Sequence, residues 1–410
     1  MTSNNNIPQG YKKTDLGIIP EEWEFVNLGS ISKINGRIGF RGYTVADLVP
    51  KGFGAITLSP SNIINGKINY KQCTYISWYK YKESPEIKVR DGDILLVKTG
   101  STFGKSAFVK NLPQKATINP QFVLLNNFKC NNLYLSYVIA YDDIQMQINS
   151  EIVGGAIPTL SQEKIANFVV LLPQNYAEQK AIATALSDID SLIDALDKKI
   201  AKKKLIKQGA MQQLLTGKKR LPGFTDDWVE KKLEDICDII MGQSPSSIYY
   251  NIQNVGLPLI QGNADLENRQ QIVRYYTSQI TKVCEEGDVI LSVRAPVGAV
   301  GKAIHKSCLG RGVCAIKINN DYIYHYLIYI EDDWNSFSKG STFDSINSDE
   351  LNKFSLSLPI TVKEQQAIAT ILSDMDKEIS DLETKLDKYR LIKQGMMQKL
   401  LTGQIRLKTT

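Results

Sequence analysis

Two long stretches of the chain carry apolar residues at alternating intervals of four and three positions. The first set lies within residues 178–217 and the second within residues 364–403: Ile182, Leu186, Ile189, Ile193, Leu196 and Ile200, then Ile368, Leu372, Met375, Ile379, Leu382 and Leu386. This spacing is typical of the narrow seam of a coiled coil rather than of a surface helix. It predicts two helices of roughly 60 Å that pack on each other, with pairing in a homodimer as the alternative.

The two stretches are also copies of one sequence. At an offset of 186 residues (364 − 178), 25 of the 40 positions are identical. Such a long period excludes a solenoid, so each repeat is a globular domain followed by a helix. A proline precedes each helix and a glycine follows it, where a left-handed cap is expected: Pro173 and Pro359, Gly217 and Gly403. If the halves are related by a pseudo-two-fold axis, their order along the chain predicts that the helices run antiparallel.

The helices divide the chain into four segments: residues 1–175, 176–217, 218–360 and 361–410. Outside the helices, short β-branched runs such as DILLV and DVILSV alternate with glycine and asparagine. They predict an α/β (α+β) fold with two globular regions built on mixed, curved sheets. A tryptophan and a leucine follow the first helix at the same spacing as a pair near the N-terminus: Trp228 and Leu233, Trp23 and Leu28. This match predicts that the two chain termini lie close together.

Each globular region contains an apolar strand, a basic loop with glycine and a second apolar strand. We match Lys98 with Arg294 and Lys105 with Lys302 in these loops. Glycine lets a backbone approach a phosphate or a base edge closely, and polar side chains can read base edges. Adding the polar residues that follow a strand or precede a helix gives a set of candidate DNA contacts, with solvated loops as the alternative for each: Lys98, Thr99, Ser101, Lys105, Ser59, Asn62, Arg294, Lys302, Gln261, Asn263, Ser341 and Thr342.

Composition and charge exclude only a few classes of protein function. The chain has 43% hydrophobic and 22% charged residues and a net charge of +6, which is compatible with a polyanionic partner. It has no apolar run long enough to span a membrane and no secretion signal, so we expect a cytoplasmic protein. Six cysteines without a C-x-x-C pair, and only two histidines, favour reduced thiols and argue against a metal site.

Motifs that would indicate catalysis are incomplete. The Gly100-x-x-x-Gly104-Lys105-Ser106 run is one residue shorter than a phosphate-binding loop. Asn119-Pro120-Gln121-Phe122 only approximates the Asn-Pro-Pro-Tyr signature of amino-methyltransferases, because glutamine replaces the second proline. No histidine lies in a recognisable setting beside a nucleophile. The sequence therefore predicts a chain without a catalytic site or a cofactor of its own.

Together these features resemble the specificity subunit of type I restriction–modification systems. The resemblance rests on the duplicated phrase Glu-Gln-x-Ala-Ile-Ala…Leu-Ile-Lys-Gln-Gly-x-Met-Gln-x-Leu-Leu-Thr-Gly and on the Gly-Asp…Gly-Lys hairpins. It implies two target-recognition domains that each read one half of a split double-stranded DNA target, and two helices that set the unread gap. It also implies two modification subunits, which bind S-adenosylmethionine and methylate adenine, and restriction subunits that use ATP and Mg²⁺ to translocate DNA.

Two other functions stay open at this point. One is a protein-only adaptor with two partner-binding arms, and the other is a specificity subunit of a methyltransferase that lacks a nuclease. Six lysines of the first helix are expected to be solvated or to face a partner rather than DNA: Lys198, Lys199, Lys202, Lys203, Lys204 and Lys207.

Overall fold

The computed structural model describes residues 7–14, 17–151, 159–318, 320–336 and 345–407. The chain forms two compact units: unit 1 comprises residues 1–195 and 387–410, and unit 2 comprises residues 196–386. Each unit combines one globular region with one part of each long helix. The units therefore cut both helices, whereas the four sequence segments keep each helix whole.

The elements of unit 1 are mostly short strands. In chain order the strands are β1 (Tyr11–Thr14), β2 (Gly17–Pro20), β3 (Trp23–Asn27), β4 (Lys33–Gly36), β5 (Gly54–Leu58), β6 (Ile63–Ile64), β7 (Lys67–Ile68), β8 (Thr74–Ser77), β9 (Lys88–Val89), β10 (Ile94–Val97), β11 (Ser106–Phe108), β12 (Ala116–Ile118), β13 (Phe122–Asn126) and β14 (Val169–Pro173). The helices are α1 (Leu28–Ile31), α2 (Trp78–Glu83), α3 (Asn132–Ala140), α4 (Asp142–Ser150), α5 (Gln162–Ala166) and the first part of α6 (Tyr176–Leu214).

Two four-stranded sheets form the centre of unit 1, in the orders β8-β5-β12-β9 and β11-β10-β13-β4. The β5–β12 pair is parallel and its neighbours are antiparallel, so the first of these sheets is mixed. All four residues of β10 are buried, because the strand contributes to two cores. Leu95 and Val97 pack with Ile56 of the other sheet, whereas Ile94 and Leu96 belong to the cluster beneath the helices. A strand buried on both faces explains the continuous apolar run in the sequence.

Unit 2 repeats this plan with longer sheets. Its strands are β15 (Trp228–Lys232), β16 (Asp238–Met241), β17 (Tyr250–Asn251), β18 (Leu257–Ile260), β19 (Leu266–Glu267), β20 (Gln270–Gln271), β21 (Tyr275–Thr277), β22 (Lys282–Cys284), β23 (Val289–Ser292), β24 (Val300–Lys302), β25 (Ser307–Leu309), β26 (Val313–Lys317) and β27 (Ser355–Pro359). Its helices are α7 (Tyr322–Tyr329), α8 (Ser348–Asn352) and the first part of α9 (Val362–Leu401).

The central strands of unit 2 are buried in the same alternating way. The sheet orders are β16-β26-β23-β24-β20-β19 and β17-β21-β18-β25-β22, with parallel pairs β18–β25 and β20–β24. Ile290 of β23 packs with Ile260 and Leu309 of the second sheet. Val289 and Leu291 pack instead in the cluster that contains residues of the long helices.

Within each unit the segments of α6 and α9 run antiparallel. In unit 1, Glu178 near the start of α6 pairs with Arg406, just beyond the end of α9, and Asp190, one dozen residues later in α6, pairs with Lys393, which lies earlier in the chain than Arg406. Lys203 and Lys207 of α6 pair with Glu378 and Asp376 in unit 2, in the same sense. Eight of the twelve seam positions are buried, and Ile189, Ile193, Met375 and Leu382 are half-buried.

The six lysines of the first helix do not all have the same surroundings. Three of the six form ion pairs with acidic residues of α9 within unit 2: Lys203 with Glu378, Lys204 with Glu383, and Lys207 with Asp376. The sequence of α6 alone could not show this, because the complementary carboxylates belong to a helix that lies far away along the chain.

A two-stranded sheet closes each unit in the same register. Trp23 of β3 lies opposite Pro173 of β14, and Trp228 of β15 lies opposite Pro359 of β27. In unit 1 the Tyr11 hydroxyl donates to the Gly403 carbonyl oxygen at 2.9 Å. The segments next to the two termini therefore lie together, and the prediction made from the tryptophan spacing is confirmed.

No helix of the described residues is both long and apolar enough to cross a membrane. All six cysteines are free thiols, five of them buried and Cys73 half-buried.

Candidate nucleic-acid interface

One hairpin in each unit presents a loop at the end of a central strand: β10–β11 in unit 1 and β23–β24 in unit 2. The Gly104 amide donates to the Val97 carbonyl oxygen at 3.0 Å, and the Gly298 amide donates to that of Ser292 at 2.9 Å. Both glycines have positive φ, +80° and +98°. A Cβ added at Gly104 would lie 3.1 Å from Ile148, and one added at Gly298 would lie 2.3 Å from the Trp334 ring. The two glycines are therefore equivalent.

This equivalence corrects the matching of the loops made from sequence. The Lys98 and Val293 carbonyl oxygens accept the equivalent hydrogen bonds from the next segment, from Leu160 at 2.8 Å and from Ile346 at 2.9 Å. Lys98 therefore corresponds to Val293, and Arg294 corresponds to Thr99. The pairing of Lys98 with Arg294 is wrong.

The pairing of Lys105 with Lys302 is wrong for the same reason. The hydrogen bond that closes the second loop joins Ser292 and Gly298, six positions apart, whereas the one that closes the first loop joins Val97 and Gly104, seven positions apart. Because Gly104 corresponds to Gly298, Lys105 corresponds to Ala299, and Lys302 lies three positions further on, inside strand β24, opposite Val289 and not in the loop.

A cleft of about 550 Å³ in unit 2 brings three of the predicted residues together. Arg294 follows β23, and Gln261 and Asn263 follow β18. The lining residues that sequence reasoning missed include Arg311 and Tyr250. Arg311 has a local signal, because it lies between Gly310 and Gly312 directly before a buried strand; we find no such signal for Tyr250. We call this site the unit 2 cleft.

Side-chain hydrogen bonds hold the loops of the unit 2 cleft in place. The Ser292 hydroxyl donates to the Pro296 carbonyl oxygen at 2.8 Å and accepts from the Ala299 amide at 2.9 Å, which ties the Arg294 loop into a closed turn. The Asp265 carboxylate accepts the backbone amide of Gln261 at 2.7 Å. The Ser244 hydroxyl accepts the backbone amide of Arg311 at 3.1 Å. The walls of the cleft are therefore shaped before any ligand binds.

The two arginines of the unit 2 cleft are available to an anionic ligand. Both are exposed, and within the described part of the chain no carboxylate forms an ion pair with either guanidinium. A guanidinium can donate two parallel hydrogen bonds to a phosphate or to the edge of guanine. The unit 2 cleft thus combines cationic donors that pair with no described carboxylate and the amides of Gln261 and Asn263.

Lys302 does not belong to the unit 2 cleft. Its ammonium group lies 2.7 Å from Asp321 and 4.7 Å from the centre of the Tyr324 ring. It lines a separate cavity of about 910 Å³ together with His325. The structure therefore gives Lys302 a carboxylate partner and places it in a different cavity from Arg294, so the prediction that both lie in one basic loop is wrong.

His325 is a buried titratable group in that second cavity. Its Nε2 lies 2.9 Å from the Ser373 hydroxyl, and its Nδ1 has no hydrogen-bond partner among the described residues. Burial lowers the pKa of His325 to about 4, so the imidazole is neutral near pH 7.

The corresponding region of unit 1 has different chemistry. Thr99, at the position of Arg294, shares a 2.9 Å hydrogen bond between hydroxyl groups with Thr159. Ser101 and Lys105 are exposed in the same loop, and Lys98 is half-buried. Unit 1 therefore presents a hydroxyl group at the position of Arg294, with the exposed side chains of Ser101 and Lys105 in the same loop.

Asn62 shapes a turn and does not face a ligand. It is 4% exposed, its Oδ1 accepts from the Ser59 backbone amide at 2.9 Å, and its Nδ2 donates to the Gln72 and Asn69 carbonyl oxygens at 2.9 and 3.4 Å. These bonds occupy both ends of the amide, so the prediction of a DNA contact is wrong for this residue. Ser59 is half-buried at the start of the same turn, and its hydroxyl lies 2.8 Å from that of Ser61.

The Asn119-Pro120-Gln121-Phe122 run forms the turn before β13. The Asn119 side chain accepts the Gln121 backbone amide at 3.0 Å, and the amide side chains of the two residues bond to each other at 3.0 Å. The Asn119 and Gly310 amides donate to equivalent carbonyl oxygens, those of Leu58 and Ile260. The run therefore occupies the place of Gly310–Val313. Ser341 and Thr342 lie outside the described residues.

A model of the type I restriction modification DNA specificity domain matches residues 20–205 and again residues 225–389. The fold and the repeated loops thus define a protein with two DNA specificity domains. The chain belongs to the type I restriction–modification specificity family, and its mixed fold with two globular regions and two long helices is the one predicted.

Curated relatives support this assignment, and two solved structures share the fold. The chain is 31% identical to a sequence described as the MjaX specificity subunit of a type I restriction enzyme from Methanocaldococcus jannaschii, with 98% of each chain covered. It is 26% identical to the MjaVIII specificity subunit of the same organism, over 95% of this chain and 94% of the relative. The fold is similar to that of the S subunit from M. genitalium, with a TM-score of 0.62, 14% identity and coverage of 100% and 99%. A chain from a structure concerned with assembly and conformational transition of a type I system has a TM-score of 0.60, with 23% identity and coverage of 94% and 99%.

The chain is therefore a specificity subunit, whose role is recognition of a DNA target, and it is a non-catalytic subunit as its family is. This agrees with the resemblance found in the sequence.

Proposed function

We propose that the chain recognises a split double-stranded DNA target, with each unit reading one half. The observation that supports this most directly is the unit 2 cleft, where Arg294 and Arg311 lie beside Gln261 and Asn263 without a paired carboxylate among the described residues. Arginine suits guanine, and glutamine or asparagine suits adenine, in the major groove. Phosphate contacts would add affinity without sequence preference.

The two halves of the target are expected to differ. Unit 1 carries Thr99 at the position of Arg294, and its exposed donors are Ser101 and Lys105. We assign Lys98, Lys105 and Ser59 to this half-target, mainly as phosphate contacts for the lysines. Because donors of different geometry occupy equivalent places, the same fold can select different bases.

We infer that the long helices set the unread gap, since α6 and α9 are single helices of 39 and 40 residues that contribute to both units. The domain limits that go with this proposal are 1–175 and 218–360 for recognition, and 176–217 and 361–410 for the helices. The chain would act in the cytoplasm with two modification subunits that bind S-adenosylmethionine and methylate adenine. Restriction subunits would bind ATP and Mg²⁺, and this chain would need no cofactor of its own.

The test uses a double variant of the assembled modification complex, Arg294→Ala with Arg311→Ala. Methylome sequencing with and without the gene first supplies the target. A bidentate contact to a base contributes about 1–3 kcal/mol, so affinity for the target should fall at least tenfold. The plot of log affinity against log salt should also lose up to about 1.8 units of slope if both arginines contact phosphates.

The matched control is Lys306→Ala with Lys317→Ala, which removes one charge just before β25 and one at the end of β26. Both lysines are exposed, so the net charge changes equally while the unit 2 cleft stays intact. Equal losses of affinity in the two double variants, with equal changes in slope, would show that the unit 2 cleft does not bind the target.

A further inference from the structure

Two aliphatic residues have most of their surface exposed to solvent. Val45 of unit 1 is 83% exposed and Ile248 of unit 2 is 79% exposed, the two highest values among the large hydrophobic side chains that the structure describes. A single exposed aliphatic residue is ordinary on a protein surface. The position of these two is not, because both project from the same turn of the repeated fold.

The equivalence of the turns follows from strand register. Each residue lies in a one-turn 3₁₀ helix, Val45–Asp47 or Ser247–Tyr249. The residue after each turn pairs with the strand that neighbours β5 in unit 1 or β18 in unit 2: Leu48 pairs with Ile76 of β8, and Tyr250 pairs with Thr277 of β21. A Cβ added at Gly54 would meet the Ile76 carbonyl oxygen at 1.9 Å, and one added at Gly256 would meet that of Thr277 at 2.0 Å. The turns therefore match, with the exposed residue shifted by one position between them.

This turn forms the rim of the unit 2 cleft. Ser247 and Tyr250 line the cleft, and Ile248 lies between them in the sequence with its side chain in solvent. Arg294 and Gln261 line the same cleft. The turn that carries Ile248 therefore belongs to the same cleft as the side chains proposed to contact bases.

Both turns are held by hydrogen bonds, so their side chains are presented on fixed backbone. In unit 1 the Asp47 carboxylate accepts the Thr44 backbone amide at 2.8 Å. In unit 2 the Gln279 side chain accepts the Ser246 backbone amide at 2.6 Å, and the Tyr250 hydroxyl donates to the Pro245 carbonyl oxygen at 3.1 Å. A preordered apolar contact loses little conformational entropy when its ligand binds.

The major groove offers an apolar side chain one kind of partner among the four bases, the C5-methyl group of thymine. We propose that Val45 and Ile248 each pack on a thymine methyl group in the half-target read by their unit, which makes them specificity-determining residues. This inference rests on the proposed function and names one base type in each half-target. Burial of both apolar groups is the driving force.

The experiment replaces thymine by deoxyuridine, which removes only the methyl group. Target DNA with one such substitution at a time is titrated with the assembled complex, which contains the wild-type chain, V45T or I248T. V45T exchanges a methyl group for a hydroxyl group at almost constant volume. We expect wild-type affinity to fall about three- to tenfold at one thymine of each half-target.

Each variant should lose a similar factor on unmodified DNA and should then be insensitive to deoxyuridine at the matching position. The proposal would be overturned if the affinity losses from a variant and from deoxyuridine at the matching position were additive. It would also be overturned if the affinity of the wild type did not change with deoxyuridine at any thymine. Ile304→Thr is the control, because Ile304 is exposed by 37% and follows β24 at the end of the hairpin away from its loop. Wild-type preference for the target over a scrambled duplex, measured in the same titrations, tests the proposed function separately.

Discussion

Replacing Arg406 by alanine should destabilise unit 1 where its C-terminal segment meets its N-terminal strand. The guanidinium bonds to both oxygens of Glu178, with Nη2 2.8 Å from Oε2, and also lies 2.8 Å from Glu22. The Trp23 indole N–H donates to the same Glu178 carboxylate at 3.2 Å. These contacts raise the pKa of Arg406, chiefly through the hydrogen bonds to Glu178. Removing the arginine would leave a buried carboxylate with the indole as its remaining side-chain donor.

The magnitude follows from the burial of the two partners. Breaking a fully buried ion pair costs about 3–5 kcal/mol because the remaining charge is uncompensated. The Glu178 side chain is only 3% exposed, but that of Arg406 is 31% exposed, so water can reach the gap that the arginine leaves. We therefore expect a loss of about 2 kcal/mol. Unit 1 has 219 residues (195 + 24), and for that size the loss corresponds to a fall in Tm of roughly 4–8 °C.

Thermal unfolding followed by calorimetry, with hydrogen exchange to locate the change, is the suitable assay. Lys67→Ala is the control, because Lys67 and Asp194 form an ion pair whose side chains are 48% and 45% exposed. An exposed pair contributes about 0–1 kcal/mol, so Tm should change by no more than about 2–4 °C and exchange near Trp23 should stay the same. If Arg406→Ala lowers Tm no more than Lys67→Ala does, or if protection is lost only in unit 2, the reasoning is refuted.

Two buried titratable groups give predictions for the pH dependence of stability. Burial raises the pKa of Asp93 from 3.8 to about 6, so the stability it contributes is present below about pH 3.8 and is lost as pH rises through 6. Urea unfolding of the wild type and Asp93→Asn should show the wild type losing on the order of 2 kcal/mol relative to the variant between pH 4 and pH 7; parallel profiles would contradict this. Burial lowers the pKa of His325 from 6.5 to about 4, so its contribution is present above pH 6.5 and is lost as pH falls toward 4. Relative to His325→Asn, the wild type should lose on the order of 2–3 kcal/mol between pH 7 and pH 4, and an equal response of both proteins would show that His325 is not the group responsible.

The duplication was the part of the architecture most accessible to sequence reasoning. Lys207 and Asp376 form the same ion pair in unit 2 as Lys393 and Asp190 form in unit 1, at the same 186-residue offset (393 − 207 and 376 − 190). Repeated residues therefore predict repeated contacts, even though a single helix does not reveal which of its lysines face the other helix.

Loop matching failed because strand register is set by long-range hydrogen bonds. The sequence aligns the two Gly-Lys pairs, but the bonds from Leu160 and Ile346 place Thr99 and not Lys98 at the position of Arg294. Matching the two Gly-Lys pairs is off by three residues, because Gly104 corresponds to Gly298 and not to Gly301, and Lys302 therefore falls in a strand. The prediction for Asn62 was wrong for a related reason, because only the folded turn shows that its side-chain amide hydrogen-bonds to the backbone of the turn.

The sequence by itself determined the two long helices, the repeat, the nearness of the termini and the resemblance to a specificity subunit. Apolar periodicity and identity at a fixed offset are local or directly comparable properties of the chain, so they can be read without coordinates. Only the tertiary structure decided that Arg294, Arg311, Gln261 and Asn263 share one cleft, and that Val45 and Ile248 project from equivalent turns. These residues come from separate strand ends, and their proximity depends on sheet pairing between segments that are distant in sequence.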